Sequence, residues 1–420
     1  MDEPVAFRSL LIVFAIAFLA PFVLGLTPRF RLPAVVLEIL MGIVVGPSVL
    51  GWVQVDLPLE VLATIGVALL FFLAGGEVEI DRIPPEIARI ALFGFALSVV
   101  LAFAVAFGLA AAGVIAFPVA VGILLVSCGL GVVVPVLKDS GQLGRPFGEF
   151  VLTGATLREF GAVLLLTLFL TAGQERPLDR LALVAVFLVS CGALALTLRL
   201  LTRFKGLSEV LYRLADTTAQ IQVRGAMLLL VVFAALAEAV NLEIILGTFF
   251  AGMLVMLTDR RAVGPHVEFR QKLEAIGFGV FVPVFFIVSG VRFDLPALLS
   301  SPLAMAQAPV VFLALLVIHG LPAAVYLPFL GGRGTVAAGL LQASSLSFLV
   351  AGSQIALGLG ALDTATASGL VAGGLLSSVV YPLLALTVLG GAPALLRPTA
   401  SLTVVPRRLL TQHTKPGEPR

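Results

Sequence analysis

Two charged residues stand side by side in a long apolar stretch, Arg158 and Glu159 in Ala155-Thr156-Leu157-Arg158-Glu159-Phe160-Gly161. A carboxylate can accept a proton or hold a cation, and a guanidinium can hold an anion or neutralise a carboxylate. One charge at the centre of a membrane-spanning helix costs about 2.5–3.5 kcal/mol on insertion scales, so the pair left bare in lipid would cost on the order of 5–7 kcal/mol. Both must therefore face protein or water. Successive helical residues point about 100° apart, so the two charges need different partners and one can work while the other supports. His319 is the third such residue, alone in the apolar run 310–330. Histidine is the side chain whose ordinary titration lies nearest neutrality. Its plainer reading, a ring satisfied by a backbone carbonyl, stands equally open.

The elements that must position these residues follow from composition. Of 420 residues, 60% are hydrophobic and 12% charged, with a net charge of +2. Soluble domains carry roughly twice that share of charge, so a soluble enzyme is excluded and a polytopic membrane protein is expected. The balanced charge shows no basic patch and predicts no nucleic-acid partner. Cys128 and Cys191 lie in apolar runs, without the spacing of a disulfide framework or a zinc site. No metal site, cofactor, catalytic triad or phosphate-cradling loop is expected.

Apolar stretches bounded by charge, Pro or Gly give about thirteen spans: 9–26, 33–51, 60–76, 88–113, 118–137, 148–172, 181–202, 222–240, 243–258, 275–293, 303–330, 335–359 and 365–390. The acidic leader and the uninterrupted first run predict a retained helix rather than a signal peptide. Residues 397–420 form a polar tail too short for a sensing domain. On this arrangement twenty-one of the 26 Lys and Arg residues fall on the side that holds the C-terminus. Positive residues in short loops collect in the cytoplasm, so the N-terminus is expected outside and the C-terminus inside, in a plasma membrane.

Two spans carry small polar clusters in corresponding places. The fifth holds Ser127-Cys128-Gly129-Leu130-Gly131 before Pro135, and the twelfth holds Gln342-Ala343-Ser344-Ser345-Leu346-Ser347. Either cluster alone reads as close helix packing. As a pair they predict broken helices, whose freed carbonyls and half-helix ends serve ions near the midplane of transporters. Spans four to six then correspond to spans eleven to thirteen as an inverted repeat, and a Glu159–His319 contact is expected between the sixth and eleventh spans. Glu159, Ser127 and Ser345 are the candidate proton- or ion-binding residues, with Arg158 and His319 as supporting charges. Cys128, Gln342, Ser344 and Glu38 are lesser candidates. Glu238 and Glu243 are read as wetted at the outer surface.

Leu32-Pro33, Glu38-Ile39-Leu40-Met41-Gly42-Ile43 and Gly46-Pro47-Ser48-Val49-Leu50-Gly51 resemble the second-helix signature of monovalent cation:proton antiporters, the group of Kef-type potassium efflux and bacterial sodium/proton antiporters. Leu70–Glu77, Leu246–Gly252 and Pro283–Phe286 with Ser289-Gly290 are similar to that group's third-, ninth- and tenth-helix motifs, so the resemblance spans roughly residues 9–390. It implies an all-helical fold of about thirteen spans with two broken crossing helices. It also implies scaffold or dimerisation helices over 1–87 and 222–302, core transport helices over 88–172 and 303–390, a linker over 173–221, a tail over 391–420, and a homodimer.

The resemblance places ion exchange at a sixth-helix acidic residue, often in an Asn-Asp or Asp-Asp pair, where Glu159 stands, and a basic residue at the position that His319 matches. This chain has Glu for Asp, Arg158 beside it and His for the base, and Cys128-Gly129 where hydroxyl residues are common. Arg158 would repel a cation unless it points away or is neutralised. The expected activity is exchange of protons for Na+ or K+ by alternating access, with His319 stabilising the charged Glu159 when no cation is bound. The alternatives are a transporter of the same fold that anchors an organic or anionic solute on Arg158, and a non-transporting membrane sensor in which the two charges are structural.

Overall fold

The computed structural model describes residues 7–26, 33–77, 84–170, 177–202, 220–240, 242–259 and 266–389. The loop 203–219 and the polar tail, which carry much of the cytoplasmic positive charge expected from the sequence, lie outside these residues. Nine helices among the described residues are long and apolar enough to cross a bilayer, and the shorter apolar helices Ala34–Val45, Ala182–Leu194 and Ile244–Met256 stand at the second, seventh and ninth spans. The stretch Pro302–Gly358 holds 57 residues. At 1.5 Å per residue that is far more than one crossing of a hydrocarbon core about 30 Å thick. Gly331, at φ 65° and ψ 175°, turns the chain within it, so the eleventh and twelfth spans follow one another there.

Local chemistry sets the helix ends. Asp56 accepts a hydrogen bond from the Leu59 N–H at 3.0 Å and starts the third span, Leu57–Gly76. Asp363 accepts from Thr366 N–H at 2.8 Å and starts the thirteenth, Thr364–Val388. Each satisfies a donor that the first helical turn leaves without a partner. The second span is shorter than the apolar run 33–51 suggests. Its helix stops at Val45 because Gly46, at φ −73° and ψ 178°, is held extended before Pro47. The tenth span opens its ladder into a π-helical turn, Gly277–Phe281, before Val282–Val291.

Helix, broken helix, helix occurs twice. The fourth span, Pro85–Ala111, is followed by the half-helices Pro118–Val126 and Leu130–Asp139 and then by the sixth, Pro146–Phe169. The eleventh, beginning as Pro302–Gly320, is followed by a helix ending at Gln342, the half-helix Ser347–Gly358 and the thirteenth. In each unit the outer two helices pack on one another and on the broken one. The units join through the fourth span against the eleventh and the sixth against the twelfth. The second and third spans pack instead on the tenth, the third also on the ninth, and the ninth on the eighth.

This second group is drawn together by small residues. A methyl on Gly252 would collide with the Phe72 carbonyl, and methyls on Gly42 and Gly290 would collide with the carbonyls of Ile287 and Ile39. The backbones therefore touch, as small residues permit where the surrounding lipid gives helices no hydrophobic reason to associate. Phe7, Leu11, Phe18 and Leu26 of the first span are exposed, which suits an outer face in lipid.

Gly252→Ala should lower the unfolding temperature of the purified protein by an amount corresponding to about 1–3 kcal/mol, the usual cost of forcing an added methyl into a packed contact. Gly108→Ala, inside the fourth span where an added Cβ meets nothing within 4 Å, should leave it unchanged or raise it slightly in the same measurement, since Ala favours a helix over Gly by about 0.5–1 kcal/mol. Equal melting of the two variants would show that the seam is loose.

Candidate functional site

An α-helix that stops inside a membrane leaves its last carbonyls without donors, and each needs one. At the end of Pro118–Val126 side chains supply them. Ser127 Oγ donates to the Leu124 carbonyl at 2.9 Å, and His319 Nε2 donates to the Leu125 carbonyl at 3.1 Å. A hydroxyl has a single proton, so the 2.7 Å contact between Ser127 Oγ and Ser345 Oγ is donated by Ser345. The Gly129 N–H donates to the Ser344 carbonyl at 2.8 Å, which joins the two breaks through the backbone as well. From the thirteenth span Ser377 closes the far side, its Oγ accepting from Ser345 N–H at 3.2 Å and donating to the Gly374 carbonyl at 2.8 Å.

The sixth span passes beside this crossing. Glu159 is buried, and its Oε2 has no hydrogen-bond partner among the described residues. Cys128, in the first break, lies within electrostatic reach of both Arg158 and Glu159. The Arg158 guanidinium is fully buried and turns toward the fourth span. Its Nε and Nη2 donate to Ser98 Oγ at 3.3 and 3.2 Å, and its Nη1 donates to the Gly154 carbonyl at 3.1 Å. Gly154 makes room for this: a methyl there would collide with the Arg158 guanidinium, the Gln342 amide and the Tyr326 hydroxyl.

The structure thus brings Ser127, Cys128, Ser344 and Ser345 together at one crossing, with Glu159 and Arg158 next to it. It does not pair Glu159 with His319. That ring bonds the Leu125 carbonyl instead, and its Nδ1 has no partner among the described residues. The expected contact gives way because the end of the half-helix needs a donor, and the eleventh span places His319 on it. Gln342 faces the sixth span, its Nε2 donating to the Val151 carbonyl at 3.2 Å and to Tyr326 Oη at 3.4 Å. The Ser344 hydroxyl and Gln342 Oε1 have no partner among the described residues. Glu38 is buried on the second span, accepts no hydrogen bond among the described residues and takes no part in the contacts of the crossing. Glu238 is exposed and Glu243 half-buried. Sequence reasoning missed Ser98 and Tyr326. The signal for Ser98 was present, since it is the single hydroxyl in the fourth span.

Two half-helix ends crossing beside a buried carboxylate, within paired helix, broken helix, helix units, define a membrane transporter of the inverted-repeat, broken-helix class. The family model for the sodium/hydrogen exchanger transmembrane region matches residues 14–390, and the chain belongs to that family. It is 29% identical over 392 residues to the putative Na(+)/H(+) antiporter YjbQ of Bacillus subtilis, covering 89% of this chain and 62% of that one, so it spans less than two thirds of that relative's length. It is 26% identical over 365 residues to the Na(+)/H(+) antiporter of Enterococcus hirae, covering 85% of this chain and 91% of that one. The fold is shared with the sodium proton antiporter MjNhaP1 of Methanocaldococcus jannaschii at a TM-score of 0.65 and 14% identity, over 92% of this chain and 97% of that one.

The crossing can be tested by cross-linking. In a chain carrying Cys128→Ser and Cys191→Ser, the pair Ser127→Cys and Ser345→Cys should form an intramolecular disulfide on oxidation, because the parent hydroxyls lie 2.7 Å apart. Thiol alkylation counted by mass after unfolding should then find no free cysteine. Two free thiols after complete oxidation would mean that the breaks do not meet.

Proposed function

We propose that this chain exchanges protons for a monovalent cation, Na+ or K+, across the plasma membrane, and that Glu159 is the carboxylate the two ions share. The observation that carries this is the Glu159 carboxylate itself: buried, with one oxygen left without a partner, beside a crossing of helix ends. A carboxylate there accepts either a proton or a cation, and the two compete because they use the same oxygens. Ser127 and Ser345, whose hydroxyls touch at the crossing, supply further oxygens of the kind that suits hard monovalent cations. The relatives named antiporters support the same reading.

The remaining parts of the proposal are mechanical. The units over 88–172 and 303–390 move as a core against the helices over 1–87 and 222–302 and expose Glu159 alternately to the two sides. The chain works as a homodimer, with its N-terminus outside and its C-terminus in the cytoplasm, as the distribution of Lys and Arg supports. Arg158 is a supporting charge and not a substrate anchor. Its fully buried guanidinium already has Ser98 and Gly154 as partners, which favours a cation as the cargo over an anionic solute.

Glu159→Gln keeps the shape of the side chain and removes the charge. In reconstituted vesicles it should abolish proton flux driven by sodium, potassium or lithium gradients, while Glu159→Asp retains a measurable part. Flux at the unaltered rate in the glutamine variant would remove Glu159 from the mechanism. Flux coupled to an organic anion in the unaltered protein, with none coupled to alkali cations, would replace the proposed cargo.

A further inference from the structure

We infer that a cavity between the tenth span and the half-helix Ser347–Gly358 is an entry site for the cargo, where a partly hydrated monovalent cation is held by oxygens of Ser353, Ser289, Ser368 and Asp294 before it reaches Glu159. The inference rests on the reading of this chain as a cation:proton exchanger at Glu159. The cavity has a volume of about 200 Å³, room for roughly six waters at about 30 Å³ each. One wall comes from the end of the tenth span, with Ser289 and Asp294, and the facing wall from the half-helix and the thirteenth span, with Ser353 and Ser368. It therefore lies between the two groups of helices that the proposed movement displaces. Among its lining residues Arg292 and Thr364 are exposed while Ser289, Ser353 and Ser368 are buried, so it has a wet mouth and a buried floor. With the N-terminus outside, that mouth opens to the outer side.

The chemistry of the lining selects a cation. Ser289 Oγ donates to the Phe285 carbonyl at 2.7 Å and Ser368 Oγ to the Asp294 carbonyl at 3.2 Å. A hydroxyl has one proton, so both have only lone pairs left to offer. Ser353 is 1% exposed and its Oγ has no hydrogen-bond partner among the described residues. A buried polar group left unpaired costs about 1–3 kcal/mol, and an occupant of the cavity relieves that cost. Asp294 adds a carboxylate, of which Oδ1 accepts from the Ala297 N–H at 2.8 Å. The one basic residue of the described lining, Arg292, is already engaged: its Nη2 donates to Glu60 Oε1 at 3.1 Å and its Nη1 to Gln354 Oε1 at 3.4 Å. With Glu60 balancing Arg292, Asp294 leaves one negative charge, as suits a monovalent ion; calcium sites gather several carboxylates. Oxygens that the cation does not touch directly are reached through a bridging water. Ser353 lies six residues beyond Ser347, about 9 Å along the helix axis from the break. Phe348, between Ser353 and the break, packs edge-on against Phe71 of the third span with ring centroids 6.0 Å apart. That contact ties the half-helix to the third span on the crossing side of Ser353, and a cation held at Ser353 waits outside it.

The test reads occupancy directly, in the purified protein. In a chain carrying Cys128→Ser and Cys191→Ser, Ala367→Cys places a thiol in the cavity wall, and its alkylation by neutral iodoacetamide is counted by mass. Raising sodium at constant ionic strength, with N-methylglucamine making up the difference, should slow the alkylation along a saturable curve to about threefold or more, as an occupant at about twice its dissociation constant does. The slowing should persist with Glu159→Gln, because the two sites are separate, and should be lost with Ser353→Ala. Asp294→Asn, which keeps the helix cap and removes the charge, should raise the sodium needed for half the effect several-fold. Should Ala367→Cys fail to reach the membrane, Val371→Cys, in the same wall, serves in its place. Alkylation indifferent to sodium, slowing that disappears with Glu159→Gln or survives Ser353→Ala, or a thiol that the reagent reaches at neither position overturns the inference and leaves the role of Glu159 standing. Absence of sodium-, potassium- or lithium-dependent flux in the unaltered protein overturns that role, and the entry role with it, even where sodium still protects the thiol.

Discussion

The arrangement depends on one constraint: a helix interrupted in an apolar medium must find donors for its freed carbonyls. Unsatisfied backbone groups cost several kcal/mol each in hydrocarbon. Here the donors at the first break are Ser127 to Leu124 and His319 to Leu125, and the second break meets the first through Ser345 to Ser127 and Gly129 to Ser344. Each break helps to satisfy the other. That requirement brings the fifth and twelfth spans to one place, fixes the eleventh through His319, and fixes the thirteenth through Ser377. The sixth span packs on the half-helices of the first break and on the helix that leads into the second, and Glu159 lies buried on it.

The same constraint explains the behaviour of the charges. A buried arginine cannot be left without acceptors, nor can it lose its proton. Its neighbour Glu159 points about 100° away around the helix, so its acceptors come from elsewhere. They are Ser98 and the Gly154 carbonyl, with Gly154 lacking the side chain that would block the guanidinium. Neutral acceptors leave the arginine's charge in place, so it still acts on its surroundings without occupying the carboxylate. His319 lies within electrostatic reach of the same arginine, and its bond to a backbone carbonyl ties it to the break rather than to Glu159.

Much of this was legible in the sequence for stated physical reasons. Span length and composition are enforced by the bilayer, so the apolar runs map onto helices and the small polar clusters at 127–131 and 342–347 map onto the breaks. Arg158 and Glu159 stood out because charge is costly there. The partner of His319 was not legible, because a carbonyl is present at every residue and leaves no mark in composition. Ser98 was overlooked for a related reason: a lone hydroxyl in an apolar helix commonly bonds its own backbone, and only the fold shows that it reaches the sixth and eleventh spans instead. The end of the second helix at Val45 was readable from Pro47, whose preceding residue is driven out of the helical region.

The resemblance motifs on the second, third, ninth and tenth spans have a structural meaning distinct from that of the charges. Gly42, Gly252 and Gly290 lie where backbones touch, so these motifs build a rigid seam rather than a binding site. No such seam accompanies the contact of the sixth span with the ninth, where Phe160 packs on Phe249 and Phe250 with ring centroids 5.6 and 5.8 Å apart. Backbone contact through glycine resists sliding, because any shift drives atoms together. Aromatic faces hold by area and have several arrangements of similar energy. A body that moves past its neighbour would be expected to meet it through the second kind of surface and to be braced internally by the first, and Phe160 directly follows the carboxylate whose exposure that movement would change.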